Sequence, residues 1–569
     1  MIVDVVVDGD GDVAVGPPVS DRPSRARNIA PTATPSAIVP PSAEARRLAG
    51  KRFEGSFLSL MKRASRGGWP LSRTLVVCWE ALVATLLAAG CARPSAGAGE
   101  RPVEVLVSSD PETLDPRYVT DAVGMRITRL VHAGLVRLDP DTLAPLPYAA
   151  RGWRWIDERT LEITLRTDVR FHSGAPLTAH DVVATLRAFA SPQVGSRHAA
   201  VVEAIADATE EGAETVVVRL ARPHATLLTD LELPVLRADQ ASAPPAPDGS
   251  LDGIGPFAVV RADRGEVLLR PADGGALPRP SHPVLLRTVH DENARAMRLE
   301  AAKADVAVNL ISPALLPPLE ATAGLAVTSR PGANLTYALI DEEHGSLGDP
   351  RVRRALSEAI DRATICATLL GGRAHPAGDL VAPASWASAG GPPLPYDVAA
   401  AKSDLASAGA GGLALTILTS TERLRGDVVR FLAQELRDVG LRVDVVQLEL
   451  GTMFARLGAG DFDLAVLQLP EMSEPNVLRY FLHSAAVPPA GANRGRVRDP
   501  LLDALLDEGD RTPGADARRA IYARVEARER VEMHWLPLWY EDQVSVTSAR
   551  ARAFSPSAEG RWLSLARIP

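Results

Sequence analysis

Lysine, cysteine and aromatic residues are all scarce in this sequence of 569 residues. Only Lys51, Lys62, Lys303 and Lys402 are lysine among 62 basic residues, a bias toward arginine and alanine that reads as a GC-rich bacterial genome and not as a function. Three cysteines (Cys78, Cys91, Cys366) cannot build a disulfide framework or a four-cysteine zinc site. A net charge of −8 lacks the basic footprint of a nucleic-acid partner. Aromatics make up 4% of the chain, which disfavours a sugar ligand, since sugars want stacking faces. What remains is 46% hydrophobic and 23% charged, enough for two to four domains with real cores.

Residues 1–60 hold proline clusters and little periodic apolar pattern, so they are expected to be an over-extended start or disordered. Asp8 to Asp12 alternates like a calcium loop, but Val13 and Val19 stand where the glycine and glutamate belong. From Met61 a basic segment (Lys62, Arg63, Arg66, Arg73) precedes an apolar run, Leu75 to Ala89, and then Cys91. This is the layout of a secretory signal over 61–90, too short for a membrane span. Leu87-Ala88-Ala89-Gly90-Cys91 resembles a bacterial lipobox, which implies lipidation at Cys91 and a tether over 91–102; a plain signal peptide with Cys91 incidental is the other reading. Such a protein is expected in the periplasm or cell envelope, held to the membrane by lipid alone.

Beyond residue 102, strand and helix patterns alternate. Val103–107 reads as a strand ended by Ser108-Ser109-Asp110-Pro111, and 161–165 alternates as a half-buried strand. Thr178 and Asp181 form a capping box ahead of an apolar face at Val182, Val183, Leu186 and Phe189. Asp349-Pro350 starts a helix; Asp397–Ala408 and Val428–Val439 read as helices, ended by Gly409 and Gly440. The pattern predicts α/β layers in more than one lobe. No zinc-protease, nucleophile-elbow or phosphate-loop motif is present, so no catalytic residue, metal or cofactor is expected. His172 and His180 read as surface groups.

Ordered blocks across 103–545 resemble the peptide-binding group of ABC-importer solute-binding proteins (dipeptide, oligopeptide and nickel-type receptors). They include Glu112-Thr113-Leu114-Asp115-Pro116, Ala133 to Val136, Pro145 to Trp153, Leu165 to Val183, Gly253 to Phe257, Asp349 to Arg362, Tyr396-Asp397 and Asp461 to Leu464. The resemblance implies a two-lobed periplasmic-binding-protein fold of type II with a hinge and an interlobe cleft. Lobe I would take 103–310 and 541–569, and lobe II 311–540. It also implies a monomer that captures a peptide and delivers it to ABC permease subunits, with no nucleic-acid partner and no enzymatic activity.

Aligning this chain on the family's aspartate-bearing segment at Pro475 puts Glu471 on the residue that holds a peptide ammonium, and Gln468 on a tryptophan. The alternative for Glu471 is a solvated loop carboxylate. Arg423 and Arg425 fall in the loop after the 413–418 strand, where relatives bind a carboxylate; surface arginines are the other reading. Thr113 and Trp386 are candidate cleft residues, though Trp386 equally suits a surface anchor of its lobe. Asp341 stands where the family often has asparagine. A non-peptide solute (metal chelate, haem, opine-like) is the alternative ligand class, and a secreted hydrolase the alternative outside it.

Overall fold

The structure is a computed structural model that describes residues 5–7, 13–15 and 101–569 except 471. The segments expected to be a signal peptide (61–90) and a tether (91–102, save Arg101 and Pro102), with Cys91, and Glu471 lie outside the described residues. Within the first 60, Val5–Val7 pairs antiparallel with Val13–Val15, one short hairpin in a stretch expected to hold no folded unit.

Strands of the body assemble into one eleven-stranded mixed sheet and a separate four-stranded antiparallel sheet. In the large sheet Val103–Val107 runs parallel to Val284–Thr288 and meets Val306–Val308 on its other side. Far along the same sheet, Ala414–Ser420 runs parallel to both Arg442–Leu448 and Leu464–Leu469. Two of these strands, Val103–Val107 and Leu464–Leu469, are buried on both faces and read accordingly as apolar runs, VEVLV and LAVLQL.

Two long antiparallel strands, Leu325–Ile340 and Trp535–Ser548, join these regions. Leu325–Arg330 faces Gln543–Ser548 beside Val306–Val308, whereas Asn334–Leu339 faces Trp535–Glu541 beside Leu464–Leu469. Register breaks between Arg330 and Asn334, so the ribbon carries an irregularity where its two halves meet. Gly332 sits at that break, and a Cβ there would lie 2.2 Å from the Glu541 carbonyl oxygen. Only glycine admits so close an approach.

Local signals explain most helices. The Thr178 amide donates to Asp181 Oδ2 at 2.9 Å, and the helix Ala179–Ala190 buries Val182, Val183, Leu186 and Phe189 against the four-stranded sheet. Asp397 accepts from the amides of Ala399 and Ala400 at 3.0 and 2.9 Å, and Val398–Ser407 ends at Gly409 with φ of +66°. A cap of this kind is worth about 1 kcal/mol. Gly255, which the sequence suggests as a turn residue, has another reason: a Cβ there would fall 2.4 Å from the Leu130 carbonyl oxygen.

Candidate functional site: the cleft between the two parts of the body

The opening strand Val103–Val107 hands the chain to a loop fixed by buried charge. Arg117 grips Asp115 through two bonds, Nε to Oδ1 at 2.9 Å and Nη2 to Oδ2 at 2.6 Å, with both side chains fully buried. Its remaining hydrogens reach the carbonyls of Ala241, Ala243 and Pro244. A buried ion pair needs such extra bonds to offset desolvation. Thr113 stands on this clamp, half-buried, with its hydroxyl accepting from the Asp115 amide at 3.1 Å. Asp121 then caps the helix Ala122–Val131 through the Gly124 amide at 2.7 Å.

A polar stripe crosses the ribbon in the later part of the chain. Gln468 is buried on Leu464–Leu469 directly opposite Thr336, which pairs in turn with Trp539. Residues directly opposite share a face of the sheet. The Thr336 hydroxyl and the Trp539 indole both donate to Glu541 Oε1, at 2.7 and 3.3 Å. At the carboxyl end of the neighbouring strand, Thr419 and Ser420 are buried with hydroxyls that bond nothing in the structure. Buried hydroxyls left so are uncommon, and these two stand at the carboxyl end of a strand, where open α/β sheets bind ligands.

Trp386 is buried in the core that also holds Leu467, Leu469 and Met472. Its amide donates to the Thr142 carbonyl at 2.8 Å, tying it to the earlier part of the chain, while its indole Nε1 has no partner. The Arg518 guanidinium lies 5.0 Å from its ring centre. Arg518 Nη2 donates to Glu474 Oε2 at 2.7 Å, and the other oxygen of that carboxylate accepts from the Thr229 hydroxyl at 2.5 Å. Burial raises the Glu474 carboxyl above its ordinary value, and Arg518 and Thr229 partly offset this. The Ala225 amide also donates to the Asp510 carbonyl at 3.1 Å. Residues 225–229 therefore clasp residues 474, 510 and 518 across several hundred positions of sequence.

The structure packs Trp386 with Leu467, Leu469 and Met472 ahead of Pro475, whereas Gln468, which alternates with Leu467 and Leu469, lies on the opposite face of the sheet with Thr336 and Trp539 and is not brought to Trp386. Arg423 and Arg425 follow the strand end at Ser420 but occupy the first turn of the helix Arg423–Asp438 and not a loop, because Glu422 caps that helix through the amides of Leu424 and Arg425 at 2.8 and 2.7 Å. Arg423 is exposed and Arg425 half-buried. His172 is not a surface group; it is half-buried, bonds the Gly255 carbonyl at 3.0 Å, and burial lowers its pKa. Asp341 is buried against Arg496 at 3.3 Å. Cys366 is buried and its thiol is pushed up to about 12. Among the described residues no group of three or more His, Cys, Asp or Glu is placed to hold a metal ion, and no helix is long and apolar enough to cross a membrane.

Residues 144–487 match the family model of bacterial extracellular solute-binding proteins, family 5 Middle. The chain belongs to that family. It is 26% identical over 482 residues to Protein XP55 of Streptomyces lividans, covering 81% of this chain and 87% of that protein. It is 25% identical over 466 residues to the probable di/tripeptide-binding protein 5 of Pseudomonas aeruginosa, covering 75% and 88%. The fold matches the crystal structure of NikA from Brucella suis in complex with Fe(III)-EDTA, with a TM-score of 0.74, 22% identity, and coverage of 83% and 100%. The α/β, two-lobed type II binding-protein fold is thereby established, as is membership in an extracellular family of solute-binding proteins.

Glu474, Arg518 and Thr229 escaped the sequence reading. Glu474 was within sight, next to Pro475 in the segment used to place Glu471. Nothing in that segment marks it as buried, since its partners lie 44 and 245 residues away.

Proposed function

We propose that the protein captures short peptides between the two parts of its body and delivers them to the permease of an ABC importer. The observation that carries this is the clasp at Glu474, where one largely enclosed carboxylate is held by Arg518 on its own side and by Thr229 on the other. Family membership and the di/tripeptide-binding relative support the ligand class. Lobe I then comprises 103–310 and 541–569, lobe II comprises 311–540, and the long ribbon broken near Gly332 is the hinge. A solute that touches both lobes favours the closed state, and only the difference in its affinity for the two states drives closure.

In this reading Glu471 receives the peptide ammonium, Gln468 and the free hydroxyls of Thr419 and Ser420 offer polar contacts, and Thr113 faces the ligand from the opening loop. Arg423 and Arg425, on the rim of lobe II, attract the carboxylate end. The protein acts as a monomer without enzymatic activity or nucleic-acid partner, anchored through a lipid on Cys91.

Calorimetric titration of the full chain with di-, tri- and longer peptides tests this. Binding lost in Glu471→Ala supports the reading and the ammonium site together. Binding retained in that variant keeps the receptor and removes Glu471 from the site. No binding to any peptide by folded protein removes the peptide reading.

A further inference from the structure

A cavity of about 310 Å³ lies between the helix Ala122–Val131, the hairpin Val136–Pro147 and the C-terminal segment 553–567, and its wall residue Glu232 donates its amide to the carbonyl of Thr229 at 3.0 Å. Except for Arg330 on the ribbon, none of its lining residues comes from 311–540. The volume is that of a small-molecule site.

Arginine is the commonest residue on its walls. Among the described residues six arginines line it (Arg126, Arg129, Arg137, Arg330, Arg561 and Arg567), with three carboxylates. All three carboxylates are already taken: Asp141 pairs with Arg330, and Glu232 and Glu559 both pair with Arg561. Arg137 forms no ion pair among the described residues. A fixed positive charge without an ion-pair partner, in a confined space, draws anions.

The buried polar groups on these walls point the same way. His132 is 2% exposed, and neither ring nitrogen has a hydrogen-bond partner. Burial lowers its pKa to about 3, so the ring is neutral and offers one donor and one acceptor. The Tyr148 hydroxyl and the Trp562 indole are buried and unbonded as well. A buried polar group without a partner costs about 1–3 kcal/mol. Three such groups on the wall of one cationic cavity are explained if a ligand completes them.

We propose that this cavity is a second binding site, separate from the peptide cleft, for a small organic polyanion bearing carboxylate or phosphate groups. The anionic groups pair with Arg137 and its neighbours, and the body of the ligand satisfies His132, Tyr148 and Trp562. Because Arg330 belongs to the ribbon and also bonds the Pro556 carbonyl at 2.7 Å, an occupant here touches the strand that joins the lobes.

The test is calorimetric titration of the full chain with citrate and, separately, pyrophosphate, at low and high salt. Binding of either is expected, weakened by salt, about tenfold weaker in Arg137→Ala and Tyr148→Phe, and unchanged in the exposed control Arg151→Ala. Citrate alone binding identifies carboxylate chemistry, and pyrophosphate alone identifies phosphate. His132→Phe adds a check on the deepest contact, while the half-exposed Arg137 keeps the test decisive should that variant not fold. No binding of either probe overturns the proposal, as does equal binding in Arg137→Ala and Tyr148→Phe. So does mutual exclusion between the anion and a bound peptide, since the cavity would then be part of the cleft.

Discussion

Arg518 and Glu474 form a buried ion pair at 2.7 Å that reaches across to Thr229, so one carboxylate links two stretches of chain that sequence keeps far apart. Removing one partner of such a pair strands the other without compensation. Arg518→Met is expected to destabilise the protein by about 3–5 kcal/mol. Replacing both residues, as in Arg518→Met with Glu474→Leu, is expected to recover much of that loss. Chemical denaturation of the single and double variants measures it, and additive losses would show that the pair does not act as a unit.

Thr229 carries the other half of this contact without being one of the charged partners. Thr229→Val removes the hydroxyl bond at nearly constant shape, so a stability loss of about 1 kcal/mol is expected. Peptide affinity should fall with it if closure uses the clasp, which calorimetry on the variant reads directly.

Stability on the alkaline side should depend on Glu526 and His534. Burial raises the Glu526 carboxyl to about 8, where it accepts bonds from the amides of Leu380 and Val381, both at 2.9 Å. The folded state thus holds a proton that the unfolded chain releases near 4.5, and this contribution is lost as pH rises from there through about 8. Burial alone would lower His534, but Glu529 and Glu342 outweigh it and hold the imidazole at about 9. Its contribution is complete below 6.5 and lost as pH rises through 9. Unfolding free energy should therefore fall between pH 5 and 9, by at most about 1.4 kcal/mol per pH unit for each proton. Glu526→Gln should flatten the lower part of that slope, and urea unfolding across the range checks it.

Gly332 marks the break in the ribbon, and its alanine variant forces contact with the Glu541 carbonyl. Gly332→Ala is expected to lower stability by about 1–3 kcal/mol, as overpacking does. Gly152→Ala, where a Cβ meets nothing within 4 Å, should change it by less than about 0.5 kcal/mol. Thermal unfolding of the two variants side by side distinguishes a crowded hinge from a general intolerance of side chains at glycine positions.

Much of the fold was legible because its signals are local. Val103–Val107 and the helices started by Thr178, Asp349 and Asp397 stand where their caps and apolar spacing put them. The helix Arg423–Asp438 begins five residues before the expected Val428, since Arg423, Arg425 and Gly426 mask the apolar period in its first turn. That shift moved both candidate arginines from a loop onto a helix. The pairing of Leu325–Ile340 with Trp535–Ser548 and the near-complete enclosure of the Glu474 carboxylate depend on partners distant in sequence, and no local pattern reports them. Trp386 was open between the cleft and a surface anchor, and the structure removes the surface reading by burying it in a core, with its indole hydrogen unbonded.

The central claim is capture of a peptide by both lobes, and the most direct measurement is the unfolding temperature of the full chain with saturating di- or tripeptide. A peptide at about 100 times its dissociation constant adds about 2.7 kcal/mol, enough to raise the unfolding temperature by several degrees. The account predicts that rise in the wild-type chain and a smaller one in Thr229→Val at the same peptide concentration. An unfolding temperature that no peptide raises, in protein shown to be folded, contradicts it.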